Sequence, residues 1–171
     1  MSTEKKSNTM PDIKSNVVII GRPNVGKSTL FNRLTKTRKA IVHFTEGTTR
    51  DRLITKIATS NVTYNLVDTP GYTYIPKSSE TIASKSQGQI HQGLKSATII
   101  LFLLDIQTGL TNEDITIASL LRPMKEKVIL VANKSDNSNY EMSKFDFLEL
   151  GFGTPIAVSY THLTLPTILR V

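Results

Sequence analysis

Val17-Val18-Ile19-Ile20-Gly21-Arg22-Pro23-Asn24-Val25-Gly26-Lys27-Ser28 is an apolar run that ends in G-x-x-x-x-G-K-S. Four aliphatic β-branched residues closed by glycine read as a buried strand, and residues 27 to about 34 read as the helix that follows. Gly21 and Gly26 let the backbone turn tightly and approach an anion without a Cβ in the way. Successive N–H groups, including those of Thr29 and its neighbours, then converge on a phosphate at a helix N-terminus, where the dipole also favours negative charge. Lys27 can reach the β- and γ-phosphates, and the Ser28 hydroxyl can ligate Mg²⁺. The competing reading is a glycine-rich turn with an incidental lysine; the strand in front and the helix behind argue against it.

The rest of the chain is compatible with such a site. Its 171 residues, 39% hydrophobic and 20% charged, suit one soluble α/β domain. There are no cysteines, which excludes disulfides and thiolate metal sites and fits a cytoplasmic setting. No apolar run reaches the ~18–20 residues of a membrane span. Residues 1–15 are polar with both charge signs and read as a disordered lead-in. The formal charge of +7 favours an anionic partner; a positive surface around a triphosphate accounts for part of it, and RNA is an open second explanation.

Two further motifs follow in order. Residues 53–59 and 62–67 read as strands joined by a turn at Ser60-Asn61, and the second runs into Asp68-Thr69-Pro70-Gly71. A carboxylate at a strand end beside the phosphate loop can hold Mg²⁺ through a bound water. The Gly71 amide can approach a γ-phosphate and swing away after hydrolysis. Alone, D-x-x-G is a common strand-ending turn; its place after a phosphate loop gives it meaning. Residues 97–104 form another buried strand, and residues 112 to about 121 have helical spacing of Ile115, Ala118 and Leu121, closed by Pro123. The strand at 128–132 then delivers Asn133-Lys134-Ser135-Asp136. The Asp136 carboxylate can accept from both N1–H and N2–H₂ of guanine, a pair adenine lacks. Asn133 can tie this loop to the phosphate loop and reach the base edge, and the Lys134 stem can lie along the base face. A solvated polar loop is the bland reading of these four residues in isolation.

The alternation of strands and helices predicts a doubly wound, mainly parallel α/β sheet, with residues 53–59 as its one antiparallel strand. Ligand loops should gather at the carboxyl ends of the strands, and all three motifs obey that rule.

These residues resemble the P-loop GTPases, and within them the Era-like branch. GRPNVGKSTLFNRL (residues 21–34), Gly47-Thr48-Thr49-Arg50-Asp51, Asp68-Thr69-Pro70-Gly71 and Asn133-Lys134-Ser135-Asp136 cover the main guanine-nucleotide motifs. TKTRKAIV (35–42), the run 101–104 with Asp105, and Gly109-Leu110-Thr111 look like the first G domain of the Der (EngA) family. In that family two G domains precede a KH-like domain, and the protein assists assembly of the large ribosomal subunit. The resemblance implies a P-loop G domain over 16–159 that binds GTP and GDP and hydrolyses GTP slowly. It also implies Mg²⁺ and K⁺ as cofactors, and the large ribosomal subunit with its RNA as partner of the longer protein. No membrane partner is implied.

Residue by residue, the resemblance makes Lys27, Thr49 and Gly71 the catalytic set, with Ser28, Thr49 and, through water, Asp68 around Mg²⁺. Asn24 matches an asparagine that helps hold K⁺ in several relatives, the backbone of 43–48 completing that site. Arg22, Pro23, Val25, Thr69, Pro70 and Tyr72 fall within the nucleotide-binding motifs, and Ser159 would begin the Ser-Ala motif that closes over guanine. Two departures stand out. Where many Ras-like proteins place a water-orienting glutamine after D-x-x-G, this chain has Tyr72. Ser159 is followed by Tyr160 rather than alanine, and YTHLTLPTILRV (160–171) is unlike a GTPase tail. Its Thr/Leu alternation and Pro166 argue against the helix the family would supply there. The expectation is a truncated gene with a foreign tail and the terminal helix missing; a genuine divergent tail is the alternative.

His43, His91 and His162 show no metal spacing and read as surface residues. Gln87, Ile90 and Leu94 sit at helical spacing and read as a packing face, and residues 36–39 as a solvated segment with RNA contact as the other reading. Two alternatives to a ribosome-assembly GTPase stay open. One is the G domain of a tRNA-modifying GTPase of the MnmE kind, which also carries Gly-Thr-Thr-Arg-Asp. The other is a nucleotide-binding module without useful catalysis.

Overall fold

Alternation within the aliphatic runs sorts the core into two faces. Val18 and Ile20 of the first strand, with Ile100, Phe102, Leu104, Leu130 and Ala132, bury toward one side of the sheet. Ile19, Leu66, Leu101, Leu103 and Val131 bury toward the other. Period-two burial on both faces is what a central parallel sheet requires. The computed structural model describes residues 15–36, 40–41, 53–58, 63–69, 91–135 and 145–158.

The strands are β1 (Ser15–Ile20), β2 (Ala40–Ile41), β3 (Leu53–Ala58), β4 (Thr63–Asp68), β5 (Ile99–Asp105), β6 (Val128–Asn133) and β7 (Ile156–Val158). They form one sheet in the order β2-β3-β4-β1-β5-β6-β7. β4, β1, β5, β6 and β7 are mutually parallel, and β3 runs antiparallel between β4 and β2. The doubly wound sheet with one antiparallel strand is therefore as expected. The strand read at 97–104 begins two residues later because Ala97 and Thr98 form the bend that leads into it, and β2 is an addition to the sequence reading. The turn at 60–61, Gln87, Ile90, His43, His162 and the tail 160–171 lie outside the described residues.

Helix α1 (Lys27–Lys36) packs Leu30, Phe31 and Leu34 onto the Ile19 face. A second helix, α2, is described at residues 91–96; it buries Leu94 and leaves His91 exposed. Helix α3 (Asn112–Leu121) lays Ile117, Ala118 and Leu121 on the Val18 face. Each of the leucine, isoleucine and phenylalanine side chains, fully buried, contributes about 1.5–3 kcal/mol. A capping box sets the start of α3: the Thr111 hydroxyl accepts the Asp114 N–H, and the Asp114 carboxylate accepts the Thr111 N–H. Its α-helical part stops at Leu121, and Pro123 falls in the tighter turn Arg122–Lys127 that follows. A short helical stretch at 145–148 adds Phe147 to the same face, and Phe102 meets Phe152 edge-on at 6.3 Å.

Strand order and register place the chemistry. β1 lies between β4 and β5, so the chain moves to one side of β1 and then the other, the arrangement that opens a crevice at the strands' carboxyl ends. Register sets Asp68 beside Ile19 and Asp105 beside Asn133.

Candidate functional site

The loop 21–26 leaves β1 under tight steric control. A Cβ on Gly21 would lie 2.6 Å from the Leu103 carbonyl oxygen of the neighbouring strand. Gly26 has φ +96°, and a Cβ there would run into the Asn133 amide nitrogen. Sequence reasoning gave both glycines to the approaching phosphate; packing against β5 and Asn133 is an additional demand. Val25 points down into the core, with no exposed surface. Among the described residues only two non-glycines have positive φ, Asn24 at 64° and Lys134 at 61°. One lies at the exposed tip of the phosphate loop and the other in the N-K-S-D loop. Strained backbone of this kind concentrates where function fixes geometry.

Lys27 and Ser28 open α1. The Lys27 ammonium crosses the loop and donates to the Arg22 carbonyl at 2.9 Å. Its pKa is lowered, chiefly by burial; the Asp68 carboxylate pulls it back up and Arg22 pushes it further down. The Ser28 hydroxyl donates to Asp68 Oδ2 at 3.0 Å. Burial raises the Asp68 pKa, against the pull of the Ser28 bond and of Lys27. Asp68 Oδ1 is buried and has no hydrogen-bond partner among the described residues. An orphaned carboxylate oxygen costs about 1–3 kcal/mol. A hydrated divalent cation would satisfy it, so Ser28 and Asp68 fit a Mg²⁺ held by few protein oxygens. Next in the chain, Thr69 anchors the end of β4 to β1, its hydroxyl donating to the Ile19 carbonyl at 2.6 Å.

Asn133 joins the two loops. Its Nδ2 donates to the Val25 carbonyl at 2.8 Å, and its Oδ1 accepts the Lys134 N–H at 2.8 Å. The predicted tie between base loop and phosphate loop is thus present, and it is buried.

Sequence reasoning missed a charged cluster behind these loops. Lys134 Nζ donates to Asp105 Oδ2 at 2.6 Å. Arg22 lies between two carboxylates, 3.9 Å from Asp105 and 3.5 Å from Asp114. Burial pushes the Asp105 carboxyl up, but hydrogen bonds from Lys134 and the Gln107 amide outweigh it and leave the pKa lowered. For Asp114 burial wins and the pKa is raised, despite bonds from Thr111 and the nearby Arg22. Two signals were available: the Thr111-x-x-Asp114 cap before an apolar helix, and an acidic residue closing the run 99–105.

The predicted residues Gly21, Arg22, Pro23, Asn24, Val25, Gly26, Lys27, Ser28, Thr29, Asp68, Thr69, Asn133 and Lys134 lie at the carboxyl-end edge of the sheet. Thr49, Pro70, Gly71, Tyr72, Asp136 and Ser159 lie outside the described residues.

The sequence model of the 50S ribosome-binding GTPases matches residues 16–134, from β1 through the Asn133-Lys134 step. The chain belongs to that family. It is 44% identical over 143 residues to GTPase Der of Phocaeicola vulgatus, covering 84% of this chain and 32% of that one. It is 41% identical over 150 residues to GTPase Der of Caldicellulosiruptor saccharolyticus, 88% of this chain and 34% of that one. The chain therefore spans about a third of the length of the curated relatives it matches. Among solved structures it resembles a point variant of Aquifex aeolicus Era bound to GDP·AlF₄⁻, with TM-score 0.67 and 30% identity over 84% of this chain and 50% of that one. A second Era, in complex with MgGDPNP and nucleotides 1506–1542 of 16S ribosomal RNA, gives TM-score 0.68 and 31% identity over 85% and 50%. The Era-like resemblance and the G-domain fold stand. Among the described residues no helix is long and apolar enough to cross a membrane.

Proposed function

We propose that this chain is a guanine-nucleotide switch that hydrolyses GTP to GDP and phosphate. The observation that carries the reading is the buried Asn133–Val25 bond at 2.8 Å, which sets the N-K-S-D loop against the phosphate loop. On this reading the amides of 22–29 cradle the phosphates, and Asp136 reads the guanine edge. Lys27 leaves the Arg22 carbonyl for the phosphoryl oxygens, where its ammonium offsets the charge that builds as the γ-phosphoryl group transfers to water. Ser28 and Asp68, with Thr49 from the Gly-Thr-Thr motif, would hold Mg²⁺. Mg²⁺, when bound, neutralises the phosphate oxygens. Gly71 supplies its amide to the γ-phosphate, and Ser159 closes over the base. Asn24, exposed at the loop tip, would hold K⁺. With Tyr72 where many Ras-like GTPases have glutamine, backbone orders the water and turnover is slow.

The family description and the RNA-bound Era relative support a ribosomal setting. We assign this switch to assembly of the large ribosomal subunit in the cytoplasm, with ribosomal RNA as partner. The net charge of +7 favours such a partner. Phosphate release from GTP by the purified chain tests the enzymatic reading. Slow hydrolysis that needs Mg²⁺ and quickens in KCl over NaCl at equal ionic strength is the expected result. Tight GDP binding with no phosphate release in either salt would leave a passive binding module instead.

A further inference from the structure

Lys134 is held more firmly than a base-stacking lysine needs to be. Its backbone occupies the left-handed region at φ 61°, which a non-glycine residue holds only when its surroundings enforce it. Asn133 Oδ1 accepts its N–H at 2.8 Å, and the Gln107 side chain reaches its carbonyl at 3.5 Å. At the far end, its ammonium is bonded to Asp105 Oδ2 at 2.6 Å. Both ends of the residue therefore have partners, and the four-carbon stem runs between them. Asp105 can act as the far anchor because the parallel register places it directly beside Asn133. Its side chain is 3% exposed, and its other oxygen accepts the Gln107 N–H at 3.0 Å, so the carboxylate itself is locked.

We propose that Asp105 is a positioning residue for nucleotide binding, holding the Lys134 ammonium so that the lysine stem is laid out as a preformed ledge for the face of the base. This rests on reading N-K-S-D as the base loop. An unheld lysine stem samples many rotamers and must be ordered when the nucleotide arrives; a held one has lost that freedom already. The ledge touches a face, not an edge. Asp105 should thus strengthen binding of any purine nucleotide by one factor, leaving discrimination to Asp136.

The test is a double-mutant cycle on fluorescent GDP and IDP analogues. Asp105→Asn removes the charge and Lys134→Met removes the ammonium while keeping an unbranched stem. Asp105→Asn should weaken GDP and IDP alike, by about tenfold each, mainly through faster dissociation. Lys134→Met should weaken them similarly, and the double variant should be no weaker than Lys134→Met alone. Wild-type affinity in Asp105→Asn, losses that multiply in the double variant, or an altered GDP-to-IDP ratio would each overturn the proposal. Should Asp105→Asn not fold, Asp105→Ser keeps an acceptor for the Gln107 amide and carries the same expectations. If neither folds, the carboxylate serves stability and the proposal falls. A wild-type chain that binds neither nucleotide would overturn the nucleotide reading itself, whereas a binding wild type with an additive cycle overturns only the role of Asp105.

Discussion

Replacing Gly26 with alanine should damage this protein through Asn133, and the size of the damage can be worked out. The new Cβ meets two costs. Backbone at φ +96° is unfavourable for a residue with a side chain, at about 1–3 kcal/mol. The methyl group also claims the space of the Asn133 amide nitrogen. That amide must move, and the Val25 carbonyl, which accepts from it at 2.8 Å, is left buried and unpaired at about 1–3 kcal/mol. Together the Gly26→Ala cost is about 2–6 kcal/mol, a large part of the ~5–15 kcal/mol that holds a typical domain together. Asn133→Ala breaks the same bond, and it also vacates the space the methyl group needs. In an Asn133→Ala background, Gly26→Ala should therefore cost only the backbone strain. The sum of the single effects should exceed the double by about 1–3 kcal/mol. Urea unfolding followed by circular dichroism, on the wild type and all three variants without nucleotide, measures the difference. If Gly26→Ala costs the same in both backgrounds, within about 0.5 kcal/mol, the steric coupling is wrong. Gly26 would then answer to the backbone and the phosphate alone.

Asp136→Asn removes a charge-assisted acceptor pair worth about 1.5–3 kcal/mol per bond, so GTP affinity should fall about a hundredfold or more while xanthosine triphosphate gains; calorimetry that finds equal GTP affinity would refute the base reading. Thr49→Ala should weaken GTP more than GDP, since on the proposed reading its hydroxyl would engage the metal only in the triphosphate state; equal losses in a competition assay would remove it from switch I. Asn24→Ala should erase the faster hydrolysis in KCl over NaCl, and a salt preference that survives the substitution would take Asn24 out of the ion site. For Asp114, burial raises the folded pKa above its ordinary value of 3.8, so the folded state holds the proton more tightly than the unfolded one. Its contribution is greatest at low pH and is lost as pH rises from about 3.8 through the folded pKa. The stability of the wild type relative to Asp114→Asn should therefore decline over that window and flatten above it, and a difference in urea midpoints that stays level from about pH 4 to 7 would refute the shift.

What the chain disclosed in advance, and what it hid, divides along a physical line. The buried strands were legible because aliphatic runs such as 17–20 and 128–132 are long, glycine- or polar-bounded and rich in β-branched residues. The phosphate loop was legible because residue types at fixed local spacing carry the chemistry. The Asn133 tie could be anticipated as well, although it spans 108 positions of sequence, because the motif order puts both loops at one sheet edge. β2 was not legible: its two residues pair with Lys56 and Ile57, and a pairing that short leaves no periodicity to read.

The charged cluster was hidden for a different reason. Arg22, Asp105, Asp114 and Lys134 come from four separate segments, and nothing in the spacing of any one of them signals the other three. Their proximity follows from strand order and register, above all from Asp105 standing beside Asn133. Burying two carboxylates costs free energy that loosely aligned pairs at 3.5–3.9 Å recover poorly. Two Arg22 nitrogens and one Asp114 oxygen even lack hydrogen bonds among the described residues. Replacing such a cluster with apolar side chains of similar volume would often be neutral or stabilising, so maximal stability does not explain it. Its position does: Arg22 extends from the phosphate loop, Lys134 from the base loop, and one carboxylate lies within 4 Å of both. A charged bridge between the two loops is a poor way to hold a fold together, and it spans the two halves of the proposed binding site.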